Sequence, residues 1–544
     1  DGNTYNKVVE SVATLDELKT ILNWSEEPFD EGYYKDHEFV AGDIAELSKH
    51  GVHAEYLQTL KDLKAEIQAY LDWAEPKVEA GAGQLTLFST VNLHIFQTYY
   101  GGLRPSADMS SWIYGDYDLV KQFIEGGQTL KQWLEAQDST FVEDTQPTLI
   151  GALWYRENEF VGATIDGVDY PGRWGTYFKA PMNTVLATSE TAASNKIMLR
   201  TTAEELIVED GKVTGVKATQ YDGTPVTAHA TKGVVIATGG YAANLQMVVD
   251  TNVYWSSDYL STSTKTTNRS SLKGDGITMA RLVGANVAGM HAVAGNAPYL
   301  PDVPPINQFS GPDELKQGRC ALAQPWLWVN HEGKRFFNES RGAVFVDVYN
   351  AMTSAGGVLY TIFDQSMIDD LINKGAVLPF NAIVLAGVPL KALPKTLEMG
   401  YQRGWAFKAD TVKELAQQIG VPPENLESSM KRVNEFAKTG VDEEFSRKPE
   451  HLRAFNLNKG PYYALKGVRC FFLTLGGVTV TPQFEAKNPQ GNVIPNLYVV
   501  GQDIGGLYDS SYDLRCEGSA SSFAMTSGRV AAENAIKAIE AGRV

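Results

Sequence analysis

The chain has 544 residues, 43% of them hydrophobic and 21% charged, the composition of a globular protein too long for one ordinary core. A formal net charge of −18 argues against nucleic acid as a partner. Three cysteines (Cys320, Cys470, Cys516) and scattered histidines supply no disulfide framework, no haem-attachment motif and no metal-ligand pair. No apolar run reaches the ~18 residues that a transmembrane segment needs.

The chain starts at Asp1 rather than Met, which reads as processing or loss of a preceding segment. An exported, cell-envelope location is expected over a cytoplasmic one. Leu57, Leu60, Leu63, Ile67, Tyr70 and Leu71 recur at spacings of three and four, one face of an amphipathic helix. The stretch 93–102 is aromatic and ends at Gly101-Gly102. A second amphipathic helix is predicted over 118–134, with Leu119, Phe123, Leu130, Trp133 and Leu134 inward.

From Lys196 the apolar period changes to two. Residues 203–208 and 213–218 flank Asp210-Gly211, a hairpin with a two-residue turn. The run 233–237 then reads as a buried strand carrying Thr238-Gly239-Gly240 at its carboxyl end, where α/β proteins bind ligands. Gly274-Asp275-Gly276 opens a helix that closes at Gly284. Residues 291–473 are patterned differently, with a strand at 326–330, a turn at Glu332-Gly333, and short helices over 363–375, 412–419 and 426–439.

The last seventy residues hold a buried strand, Leu497–Val500, ending at Gly501. Gly505-Gly506 and Gly518-Ser519-Ala520 allow the backbone to approach something flat or anionic. A helix from about Phe523 follows, its free N–H groups facing whatever binds there.

In this order the pieces resemble the fumarate reductase/succinate dehydrogenase flavoprotein family, from about residue 115 to the end. Asn330-His331-Glu332-Gly333-Lys334-Arg335-Phe336 and the closing Gly528-Arg529-Val530-Ala531-Ala532 belong to the same match. The resemblance implies an α/β fold: a discontinuous, Rossmann-like FAD-binding domain with an inserted α+β capping domain and an N-terminal helical region. The domains would be 1–290 (with helical 1–150), 291–473 as the cap, and 474–544. FAD would be held by Asn3, Thr4, Thr238, Gly239, Gly274, Asp275, Gln502, Asp503, Gly518, Ser519, Ala520 and Ser521. Asp503 would offer its carboxylate to a ribose or ribityl hydroxyl, and the 518–521 backbone would face the flavin ring.

One piece of the family pattern is missing. The opening Gly-x-Gly-x-x-Gly that cradles the FAD pyrophosphate has no match, since Gly81-Ala82-Gly83 is followed by Thr86 at the third glycine position. A fragment, a second chain carrying that unit, and true loss are the three readings.

The resemblance also implies chemistry. Arg341 would deliver a proton, and Arg515 would grip a carboxylate by two bonds. The family's substrate histidines fall at Asn296 and Leu473, and Arg319 stands near the place of its acidic relay. Asn296, Arg515 and the aromatics Tyr99 and Tyr512 are the expected substrate contacts. The expected activity is flavin-dependent reduction of an activated C=C bond in an unsaturated carboxylate or enone, as in bacterial anaerobic respiration. The acceptor would be a small molecule, and electrons would come from a separate donor protein or a reduced flavin carrier. A ketosteroid-type dehydrogenase and a non-catalytic binding protein that lost the phosphate loop are the alternatives. No metal is expected.

Overall fold

The computed structural model describes residues 12–542 except 28–47, 81–84, 102–103, 106–111, 142–153, 155–157, 159, 166, 172–177, 188–194, 253–263, 267–269, 304–307, 309–310, 381–382, 509–511 and 513–518. The chain divides into two compact units. The first is Asp1–Gly240, Gly274–Ala292 and Leu475–Val544, and the second is Tyr241–Lys273 and Val293–Thr474. Residues 241–273, expected with the first unit, cluster with the second. The reason lies in strand pairing: Thr264–Thr266 runs parallel to Tyr462–Thr474, a strand of the second unit.

The first unit begins with helices. Leu57–Glu79 buries Leu60, Leu63, Ile67, Leu71 and Ala74, the expected stripe. The stretch around 93–102 is itself helical, Val91–Gly101. The single helix expected over 118–134 is two, Tyr117–Gly127 and Leu130–Glu135, and Trp133 is 38% exposed rather than inward. The break follows the weak helix formers Gly126-Gly127. A Cβ at Gly126 would stand 3.0 Å from Thr526 Cγ2 and from Val530 Cγ2, so glycine lets the closing helix Ser519–Glu540 approach.

Strands Thr201–Glu209, Lys212–Gln220 and Pro225–His229 form an antiparallel meander. Asp210 (φ 49°) and Gly211 (φ 75°) make the tight turn read from the sequence. A second sheet holds Glu485–Lys487, Val493–Val499 and Val234–Ile236 in that order, the last two parallel. Leu497 and Val499 are fully buried. Val235 is 50% exposed, because among the described residues its strand has a neighbour on one side only. Among the described residues, the buried strand expected at 233–237 is therefore at the edge of its sheet.

The second unit is built on one long strand, Tyr462–Thr474. It pairs with Thr264–Thr266, Val293–Tyr299, Val358–Asp364 and Ala406–Ala409, and Val358–Asp364 pairs in turn with Leu327–Val329. Eleven of its thirteen residues are buried, as a central strand requires. The surrounding helices include Asp313–Leu322, Phe345–Ser354, Val412–Ile419 and Pro423–Thr439. Val412–Ile419 starts with a capping box in which Thr411 accepts from Glu414 N–H and the Glu414 carboxylate accepts from Thr411 N–H.

Candidate cofactor and substrate sites

The carboxyl ends of the parallel strands 234–236 and 493–499 meet in the first unit. The turn Thr238-Gly239-Gly240 leaves one, and the 3₁₀ turn Gly501–Asp503 leaves the other. Asp503 joins them and is fully buried. Its Oδ2 accepts the Thr238 N–H and the Gly239 N–H (3.0 Å), and its Oδ1 accepts the Thr238 hydroxyl (2.8 Å) and the Gly240 N–H (3.0 Å). Burial pushes this carboxyl up from its ordinary range, while the Thr238 hydroxyl and the three amides pull it back.

A third element closes on the same point. The helix Asp275–Leu282 starts from Gly274 at φ 81°, and Gly276 N–H donates to the Thr238 hydroxyl at 3.1 Å. Gly274 N–H donates to Gly240 O at 3.1 Å. The expected contacts Thr238, Gly239, Gly274, Asp275, Gln502 and Asp503 are thus brought together, with Gln502 half-buried and Asp275 exposed at the helix start. Two strand ends and a helix N-terminus make the kind of rim at which an anionic dinucleotide binds.

Asp503 is a correction. Each of its oxygens already accepts two hydrogen bonds from the chain, so its carboxylate is spent on the loops rather than held out to a sugar hydroxyl. Gly505 is another. A Cβ there would lie 2.2 Å from Ala288 O and 2.4 Å from Gly477 O, so the close approach is to neighbouring backbone, not to a ligand. At Gly276 a Cβ would stand 2.4 Å from Ile236 Cγ2 and 2.5 Å from Thr238 Oγ1. Gly276→Ala is expected to cost about 1–3 kcal/mol through this overlap. Thermal unfolding of the variant checks it, and an unchanged midpoint would contradict the packing described.

The closing helix starts at Ser519, four residues before the expected position. Its first turn is already partnered. Ala520 N–H donates to the Tyr512 hydroxyl (3.1 Å), and the Ser519 hydroxyl donates to the same oxygen (3.0 Å). Tyr512, expected against substrate, therefore caps this helix, and Ala520 N–H is turned to it rather than to a flavin ring; Ser521 is exposed. Tyr99 is buried core. Its hydroxyl meets His53 Nδ1 at 2.9 Å, and its ring packs edge-on against Tyr56 and Tyr117. Asn3, Thr4, Arg515 and Gly518 lie outside the described residues.

The other expected residues belong to the second unit. Arg341 ends the short turn Glu339–Arg341, is half exposed and pairs with Asp347 in the first turn of helix Phe345–Ser354. Asp347 was missed, because a partner six residues on, across a turn-to-helix junction, follows no helical spacing. Asn296 lies in strand Val293–Tyr299 opposite Cys470, with its Oδ1 buried and unbonded among the described residues. Tyr299, on the same strand, faces the fully buried Arg319 at 4.7 Å, and Phe345 and Phe380 lie 5.0 and 4.7 Å from the guanidinium carbon. Burial pushes this guanidinium down to about 10. No carboxylate among the described residues lies within ion-pair distance of it, and aromatic faces surround it instead. Cys320 and Cys470 are buried, and Cys516 lies outside the described residues.

The family described as "FAD binding domain" matches residues 86–518, most of the chain. The chain belongs to this family. FAD is accordingly its cofactor. Two relatives of this FAD-binding chain are curated enzymes. It is 30% identical over 495 residues to the NADH:acrylate oxidoreductase of Vibrio harveyi, covering 90% of this chain and 43% of that protein. It is 28% identical over 330 residues to the vinyl phenol reductase of Lactiplantibacillus plantarum, covering 59% of this chain and 63% of that one. The chain thus spans about half the length of these relatives. Among solved structures, the 3-ketosteroid delta1-dehydrogenase of Sterolibacterium denitrificans shares the fold, with TM-score 0.60 at 18% identity over 84% of this chain and 90% of that one. No helix among the described residues is long and apolar enough to cross a membrane.

Proposed function

We propose that the chain is an FAD-dependent oxidoreductase acting on CH–CH bonds, which reduces an activated C=C bond in a small unsaturated carboxylate or enone. The observation that carries this is the 30% identity to an acrylate oxidoreductase over 90% of the chain, within an FAD-binding family. Bound FAD supplies the hydride. The chain's own residues hold the acceptor and supply the proton. Arg515 grips the carboxylate or carbonyl that polarises the double bond. Arg341 gives a proton from its guanidinium to the carbon beside that group, and Asp347, already paired to it, is the carboxylate through which that proton is replaced. Electrons come from a separate donor protein or a reduced flavin carrier.

The ketosteroid-dehydrogenase reading is favoured by the shared fold and by 30% identity over 333 residues, 56% of the chain, to a 3-oxosteroid 1-dehydrogenase. It runs the chemistry in the opposite direction, and one preparation separates the readings. The purified protein is loaded with FAD, reduced without oxygen and mixed in turn with acrylate, vinyl phenol and fumarate, while the flavin band near ~450 nm is followed. Its return with one of these is the expected result. Bleaching of the oxidised protein by a 3-oxosteroid, with no response of the reduced protein to any alkene, would replace the reductase by the dehydrogenase. Failure to retain any flavin band would leave a non-catalytic binding protein.

A further inference from the structure

Three consecutive amides, Thr238 to Gly240, point at a single carboxylate. Gly239 and Gly240 at φ 86° and 80° give the turn its concave side. Convergent backbone N–H groups of this kind form an anion-binding hollow, and what usually fills one is a ligand. Here a side chain 265 residues further along the sequence fills it.

We propose that the Thr238–Gly240 turn is a carboxylate site permanently occupied by Asp503, which acts as a positioning residue for FAD and makes no contact with it. The proposal rests on the FAD reading for its role, but the site itself stands on geometry alone. Four donors saturate the carboxylate, and the carboxylate is fully buried. The elements that it ties are the ones that form the rim. The Thr238 hydroxyl, while donating to Asp503, accepts from Gly276 at the start of helix 275–282. On the other side Gly501 N–H donates to the Ser527 hydroxyl of the closing helix at 2.9 Å. Removing the carboxylate therefore releases two strand ends and both helices that lean on them.

The same geometry predicts what each substitution does. Asp503→Ala empties the hollow but leaves its amides in place, so a small carboxylate supplied in solution can take the vacated position. Asp503→Asn keeps the shape but turns an N–H₂ group toward N–H donors, and its own bulk bars a replacement. Thr238→Val removes one donor of the four and serves as the mild variant.

The test measures the unfolding midpoint without FAD, and FAD affinity by quenching of flavin fluorescence, in excess sodium formate against matched sodium chloride. Asp503→Ala and Asp503→Asn are each expected to weaken FAD binding about tenfold or more, the worth of one charge-assisted hydrogen bond. Thr238→Val should weaken it less. Formate should raise the midpoint of Asp503→Ala and restore most of its FAD affinity, with no effect on the native protein or on Asp503→Asn. FAD affinity within twofold of native in Asp503→Ala or in Asp503→Asn overturns the positioning role. Absence of any formate effect on a folded Asp503→Ala overturns the carboxylate site. If Asp503→Ala does not fold, the affinities of Asp503→Asn and Thr238→Val decide. If the native protein itself takes up no FAD, the FAD reading fails, while the formate-dependent midpoint still tests the site.

Discussion

Replacing Arg515 with alanine is expected to lower turnover by about 10²–10³ while leaving the spectrum of bound flavin unchanged. Hydride arrival at one alkene carbon builds negative charge on the other and on the carbonyl or carboxylate attached to it. A guanidinium fixed at that group stabilises the charge as it forms, and two parallel hydrogen bonds hold the alkene in one orientation. Arg515 comes three residues after Tyr512 and four before Ser519, and Tyr512 and Ser519 are bonded to each other at 3.0 Å. Arg341→Ala is expected to lower turnover as well, through the proton rather than the grip. Asp347→Asn should then reproduce part of that loss and move the pH profile, because it removes the carboxylate paired with Arg341. The measurement is steady-state turnover with the acceptor that reoxidises the reduced protein. Near-native rates in both arginine variants would end the proposed mechanism.

The largest loss of stability is expected from Arg335→Ala. Arg335 is almost completely buried and forms paired hydrogen bonds to Glu339 (3.0 and 2.7 Å) and to Asp442 (3.1 and 2.7 Å), both themselves buried. Phe436 and Phe445 flank its guanidinium at 5.5 and 5.1 Å. Removing the cation strands two carboxylates out of water, which typically costs about 3–5 kcal/mol. That is a large part of the roughly 5–15 kcal/mol holding a domain folded. Arg335→Lys keeps the charge but loses the fork, so it should fall between. Acid acts on the same group. Burial pushes the Asp442 carboxyl up, but hydrogen bonds and charge from Arg335 outweigh it and hold the group well below the usual carboxylate range. A depressed folded pKa gives stability that is complete above the unfolded value, ~3.9, and is lost as pH falls below it. Chemical denaturation between neutral pH and pH 3 should show that loss in the native protein and a flatter acid limb in Asp442→Asn. Equal denaturation midpoints for native protein and Arg335→Ala would refute the account.

Local pattern was legible in the sequence, and distant pairing was not. Leu497–Val500 read as a buried strand because four apolar residues end at a glycine, and the 57–71 helix because its leucines recur every third or fourth place. Asp210-Gly211 announced its turn by residue type alone. The family resemblance also placed Thr238, Gly274 and Asp503 at one site. It could not say which way Asp503 points. That depends on three amides 263 to 265 residues away, and no local preference encodes them. Tyr512 failed for the same reason: a tyrosine near a ligand and a tyrosine capping a helix look alike until the helix start is known. Residues 241–273 were misassigned because their attachment to the second unit runs through a parallel strand pair, and a parallel partner leaves no nearby turn as a clue.

The long strand 462–474 sets the order in which the second unit can be made. Four of the sheet's strands, at 264–266, 293–299, 358–364 and 406–409, leave the ribosome before the strand they all pair with. At ~5–20 residues per second, the first of them waits roughly 10–40 s for it. Until then, among the described residues, only the pairing of 327–329 with 358–364 is available to the sheet, and the other strands named stand with open edges. A ribosome that stalls short of residue 462 therefore releases a product that lacks the axis of its sheet, whatever length of the unit it has already made.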